Sequence, residues 1–184
     1  MKCNRMFFAL SLLSFFAIPV MAQNGARYAL IIGNSEYESL TSLRNPVNDA
    51  SDMAAALKRL GFEVDLRTNA DLQQMEEGVL RLSQRLATDM QAMGIFYYAG
   101  HGVQSQGSNY LIPSRTGIMA EAFLRSKSLS AQTVLELMQG AGNSLNLVFL
   151  DACRDNPFGW ARSGQRGLSV VGNQPPGSVI VYAT

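Results

Sequence analysis

An α/β three-layer sandwich around a mostly parallel sheet is the fold class that the sequence predicts. Two observations predict it. Short apolar runs of strand length alternate with longer segments of helical period, and the runs are apolar on both faces, as strands covered by helices must be. Strands separated by helices imply right-handed crossovers and parallel pairing. No repeat or low-complexity stretch interrupts the series.

The first strand is Arg27–Gly33, a continuous apolar run closed by glycine. Residues 48–60 follow as an amphipathic helix, with Ala50, Met53, Ala54, Leu57 and Leu60 at helical spacing. Gly61 ends it, and 62–66 alternate as a second strand. A longer helix is predicted over 72–90, with Met75, Val79, Leu82 and Leu86 on one face. Residues 94–99 form a third strand and 109–113 a short extended piece. A helix over 131–138, a fourth strand over 145–150 and a fifth over 179–183 complete the pattern. The stretch from Arg154 to Gly177, rich in Gly, Ser, Arg and Pro, reads as the one linker.

The chain of 184 residues is long enough for one domain with a sizeable core. Hydrophobic residues at 47% and charged residues at 16% mark a globular composition. Fifteen basic against fourteen acidic side chains leave a net charge of +1, which argues against a nucleic-acid module. Residues 1–22 read as a signal peptide: Lys2 and Arg5 lead an apolar run to Val20, and Val20-Met21-Ala22 supplies the small residues that cleavage after Ala22 needs. The run is about 15 residues, short of the roughly 20 that span a bilayer, so a membrane anchor is disfavoured. The mature domain is then 23–184, exported to a periplasmic or extracellular compartment, with no membrane span after signal removal.

Cleavage removes Cys3 and leaves one cysteine, Cys153, and one histidine, His101. Neither a disulfide nor a cysteine–histidine zinc site can be built from that inventory. Both residues follow buried strands, at Tyr98-Ala99-Gly100-His101-Gly102 and at Leu150-Asp151-Ala152-Cys153-Arg154. In open α/β sheets, ligands bind at the carboxyl ends of strands. A lone cysteine at a strand end is ordinarily packing, and a histidine between glycines is ordinarily a turn residue. Placed together, they offer what thiol acyl transfer requires: a nucleophile and an imidazole to activate it. The glycines are expected to turn the chain sharply, and the amides of Gly102 and Cys153 are candidates for an oxyanion hole.

These motifs resemble the caspase, metacaspase and bacterial caspase-like cysteine peptidases of clan CD, family C14. The signature of that group places histidine about 50 residues before the cysteine; here the separation is 52 positions (153 − 101). Agreement extends to 29–34, 43–50, 60–62, 109–113 and 151–158, so the resemblance covers about 27–184. It implies a caspase-haemoglobinase fold and a polypeptide substrate.

Asp151 stands where caspases carry glutamine and metacaspases carry aspartate, and Asn48-Asp49-Ala50 matches a second acidic segment of metacaspases. The resemblance implies that Asp49 and Asp151 line the pocket for the residue on the acyl side of the scissile bond. Paired carboxylates attract a cation, so Arg or Lys is expected there. Helix capping is the alternative role for Asp49. Arg44 lies near the position where caspases hold the arginine that selects Asp. Arg162 and Arg166 fall in the linker, where relatives are cut in two, and are candidates for self-cleavage. Some metacaspases need calcium, but the scattered acids form no recognisable calcium loop, so that requirement stays open; no other cofactor is implied.

The chain ends at the carboxyl end of the fifth predicted strand, whereas the family continues, so truncation after that strand is expected. A catalytically silent homologue serving as a binding or regulatory module is the alternative to a cysteine endopeptidase. A generic ligand-binding doubly wound domain is disfavoured, because no Gly-x-Gly-x-x-Gly follows any strand.

Overall fold

The computed structural model describes residues 25–153, 158, 168 and 177–183. Strand β1 (Arg27–Gly33) forms as expected and pairs in parallel with β2 (Glu63–Thr68) and with β3 (Met93–Ser105). β3 also pairs in parallel with β6 (Leu145–Cys153), and β6 with β7 (Ser178–Ala183). The parallel order is therefore β2-β1-β3-β6-β7. β4 (Ser108–Leu111) and β5 (Leu129–Ser130) add a small antiparallel extension to the far end of β3.

Alternation along β1 divides the core in two. Ala29 and Ile31 face α1 (Pro46–Arg59), where they meet Ala50, Ala54 and Leu57. Leu30 and Ile32 face the opposite layer, built from α2 (Leu72–Leu86) and α4 (Ala131–Gly140), against Met75, Val79, Leu135 and Met138. The three layers follow directly from the doubly apolar strands. A single 3-10 turn (Glu121–Phe123) and the short α3 (Leu124–Lys127) lie between β4 and β5. Val103, Tyr110, Ile112, Ile118, Leu124 and Phe158 form a separate cluster beside the antiparallel extension.

Five elements depart from expectation. The second helix stops at Leu86 rather than running to 90. The Asp89 carboxylate accepts from the backbone N–H of Ala26 and of Gln91, both at 2.9 Å, and these bonds hold the turn that leads into β3. The glycines around His101 do not turn the chain: β3 continues six residues past Ala99 and reverses at Gln106 and Gly107. Both have positive φ, 48° and 79°, as a tight two-residue hairpin requires. β5, the 3-10 turn and α3 were not predicted, being too short to show a period.

Buried Asn34 ties the strand ends together. Its side-chain N–H2 donates to the carbonyls of Ala70 and Ile112 at 3.2 Å, its Oδ1 accepts from Ala70 N at 2.8 Å, and its backbone N–H donates to Ala99 O. The carboxyl end of β1 is thereby fixed to the middle of β3 and to the segments after β2 and β4. Among the described residues, no helix is long and apolar enough to cross a membrane. The signal segment 1–22 and the candidate cleavage residues Arg162 and Arg166 lie outside the described residues.

Candidate active site

The parallel register of β3 and β6 ends on the pair His101 and Cys153. Neighbouring strands of a sheet lie about 4.8 Å apart. The only histidine and the last residue of β6 are thus neighbours by construction of the sheet.

His101 is held on all sides. Its ring is buried, with 6% of the residue exposed, and Nε2 lies 2.8 Å from the carbonyl oxygen of Thr41. A carbonyl only accepts, so Nε2 carries the hydrogen and, in the neutral ring, Nδ1 carries the lone pair. Nδ1 is buried and has no hydrogen-bond partner among the described residues. Burial pushes the imidazole below its ordinary pKa, and the Thr41 carbonyl opposes that shift in part.

Two tyrosines clamp the His101 peptide. The backbone N–H donates to Tyr37 Oη at 2.9 Å, and Tyr37 Oη donates in turn to Asn34 O at 2.9 Å. The hydroxyl of Tyr98 lies 2.8 Å from His101 O and 2.9 Å from Ile112 O. The Tyr37 ring lies against the imidazole, with centroids 4.7 Å apart and planes tilted by 54°. The flanking glycines serve this packing. A Cβ on Gly100 would lie 2.6 Å from both tyrosine hydroxyls, and one on Gly102 would lie 2.9 Å from Ala152 Cβ.

The direction of the Gly102 amide follows from the register. His101 O accepts from Ile112 N while Gly102 pairs with Leu111, so the N–H of Gly102 faces away from β4. Ala99 O likewise points to the β1 side, toward Asn34 N. Gly102 N–H therefore faces the β6 side of β3.

Beside this pair lies an open cavity of about 390 Å³. Its walls come from the middle of β3 (Ala99, Gly100), from the ends of β6 and β7 (Ala152, Ala183), and from Leu43, Asn45 and Pro46 where the chain enters α1. Asp49, Asp151 and Arg44 all line it, so the three residues singled out for substrate selection are brought together. Asp49 lies in the first turn of α1, exposed, and lines the cavity from that side. Arg44 is exposed and forms no ion pair among the described residues. The Asp151 carboxylate accepts from the buried Tyr97 hydroxyl at 3.2 Å. Among the described residues, no group of three or more His, Cys, Asp or Glu is placed to hold a metal ion.

Tyr37, Thr41 and Tyr97 were not singled out from the sequence. Thr41 acts through its backbone, which no residue type announces. Tyr97 becomes visible only through the β3–β6 register, which sets Ala99 opposite Asp151.

Comparison with known proteins shows the family and a likeness of fold. A family model described as Caspase domain matches residues 26–180. Human mucosa-associated lymphoid tissue lymphoma translocation protein 1 is 32% identical over 129 residues, 70% of this chain and 15% of that protein. Its mouse homologue is 32% identical over 133 residues, with the same shares. The chain thus spans 15% of the length of these curated relatives. The crystal structure of protein GSU0716 from Geobacter sulfurreducens aligns over 70% of this chain and 50% of that one, with a TM-score of 0.55 at 18% identity, a likeness of fold. The chain belongs to the caspase-domain family, peptidase family C14.

Proposed function

We propose that the chain is a cysteine endopeptidase that uses a His101–Cys153 dyad and cleaves polypeptides after Arg or Lys. The observation that carries it is the register of His101 against Cys153 beside a cavity lined by Asp49 and Asp151. Nδ1 of His101, the ring nitrogen left with a lone pair, takes the proton from the Cys153 thiol. The thiolate attacks the scissile carbonyl, and the resulting oxyanion is met by the amides of Gly102 and Cys153. The imidazolium then protonates the leaving amine as the C–N bond breaks, leaving a thioester. Water, deprotonated by the same nitrogen, attacks the thioester, releases the acid and restores the thiol.

Asp49 and Asp151 supply a net negative wall for a cationic side chain, with the apolar walls covering its stem. Arg44, at the same cavity, disfavours a second cation nearby. The domain 23–184 acts after export and removal of 1–22, and Arg162 and Arg166 are the sites at which an enzyme of this specificity cuts itself. No nucleic acid takes part.

Paired fluorogenic peptides ending in Arg, Lys or Asp test the proposal, assayed with calcium and with a chelator. Hydrolysis after Arg or Lys, lost on Cys153→Ala, is expected. Hydrolysis after Asp and not after Arg would sink the specificity, and no hydrolysis of any peptide the activity. Amino-terminal sequencing of the exported protein tests cleavage after Ala22.

A further inference from the structure

Tyr97 sits in β3 on the face covered by α1, packed with Ala50, Ala54, Ile95 and Ala99. Those contacts are apolar, and a phenylalanine ring would make them equally well. The hydroxyl is nevertheless present on a residue only 5% exposed, and its partner is Asp151 Oδ2. A buried hydroxyl needs a partner, and this one is a carboxylate on the wall of the candidate specificity cavity. Burial first, and then the charge of Asp151, raise the phenol well above its ordinary pKa, so it is an O–H donor throughout the physiological range. No other hydrogen bond to the Asp151 carboxylate occurs among the described residues. The terminal torsion of an aspartate is broad, and this bond narrows it.

We propose that Tyr97 is a specificity-positioning residue, whose hydroxyl fixes one oxygen of Asp151 and presents the other to the cavity in a set orientation that favours arginine over lysine. The inference rests on the basic specificity proposed above. A guanidinium is a planar fork and gains from acceptors held in one plane. An ammonium is a compact point charge with rotatable donors and tolerates a carboxylate in any orientation. Preorganising Asp151 therefore helps arginine more than lysine.

The test compares Arg and Lys peptides with the full chain, with Tyr97→Phe, with Asp151→Asn and with both changes. Tyr97→Phe is expected to raise KM for the Arg peptide by about fivefold, the worth of roughly one hydrogen bond, with kcat within twofold. The Lys peptide changes less than twofold. Asp151→Asn, which keeps the tyrosine, loses the same preference for arginine, and Tyr97→Phe adds nothing to it. Equal losses for both peptides, a fall in kcat alone, or a full additional loss in the Asp151→Asn background would overturn the assignment. A second measurement needs no turnover: calorimetric binding of agmatine to the full chain carrying Cys153→Ala, expected to weaken by about fivefold on adding Tyr97→Phe. Agmatine binding that ignores Tyr97→Phe overturns the role of Tyr97 and leaves the basic pocket standing. Absence of agmatine binding to either protein overturns both.

Discussion

Nε2 of His101 lies 2.8 Å from the carbonyl oxygen of Thr41, and that contact decides which ring nitrogen is left with a lone pair. It commits Nε2 to donation and leaves Nδ1, buried and unpartnered among the described residues, as the nitrogen available to the proposed dyad. A dyad needs a defined tautomer, and here a backbone carbonyl from the segment between β1 and α1 supplies it.

Burial lowers the pKa of His101 below its ordinary 6.5. In the unfolded chain the imidazole titrates near that ordinary value, so below about pH 6.5 the unfolded state gains a proton that the native state does not. The contribution of neutral His101 is whole above this pH and is lost as pH falls from there through the lowered native value. Urea midpoints measured between pH 7.5 and 5 should fall more steeply for the wild type than for His101→Gln. Parallel curves would show that the histidine is not held neutral.

Gly100→Ala places a methyl 2.6 Å from the hydroxyls of Tyr37 and Tyr98. Overpacking of this kind costs about 1–3 kcal/mol and displaces the peptide that carries His101, so stability and turnover should fall together. Gly140→Ala meets no atom within 4 Å at the end of α4 and serves as the control. It should be neutral or stabilise by up to about 1 kcal/mol. Denaturant midpoints of the two variants separate close packing from a general intolerance of alanine.

Tyr37→Phe keeps the ring against the imidazole and deletes the oxygen that accepts from His101 N and donates to Asn34 O. The expected result is a fall in kcat of about tenfold with KM unchanged, because orientation is lost and binding is not. A rise in KM alone would place Tyr37 in substrate binding instead.

Asp49→Asn and Asp151→Asn each remove one negative charge from the cavity. A charge-assisted hydrogen bond is worth about 1.5–3 kcal/mol, so kcat/KM for an arginine peptide should fall by roughly tenfold to a hundredfold in each case. Steady-state kinetics with a neutral peptide as control should show no matching loss.

The parallel sheet was legible because Leu30, Ile31 and Ile32 are apolar in unbroken succession, a pattern that survives only where both faces are covered. His101 and Cys153 were legible because each follows such a run, and the structure does place them at one register position. Gly100 and Gly102 misled, because a glycine that makes room for a tyrosine hydroxyl or for Ala152 is written with the same letter as one that turns the chain. Thr41 left no trace, since its contribution is a carbonyl that every residue possesses. Tyr97 was hidden for a different reason: its partner Asp151 is 54 positions away, and only strand register brings them together.

The dyad itself is tested most directly by labelling the intact chain with an irreversible peptidyl-arginine electrophile, followed by mass spectrometry of the Cys153 peptide. Stoichiometric modification of Cys153, abolished in His101→Ala, is the predicted result. Modification that proceeds at an undiminished rate without the imidazole would contradict the account.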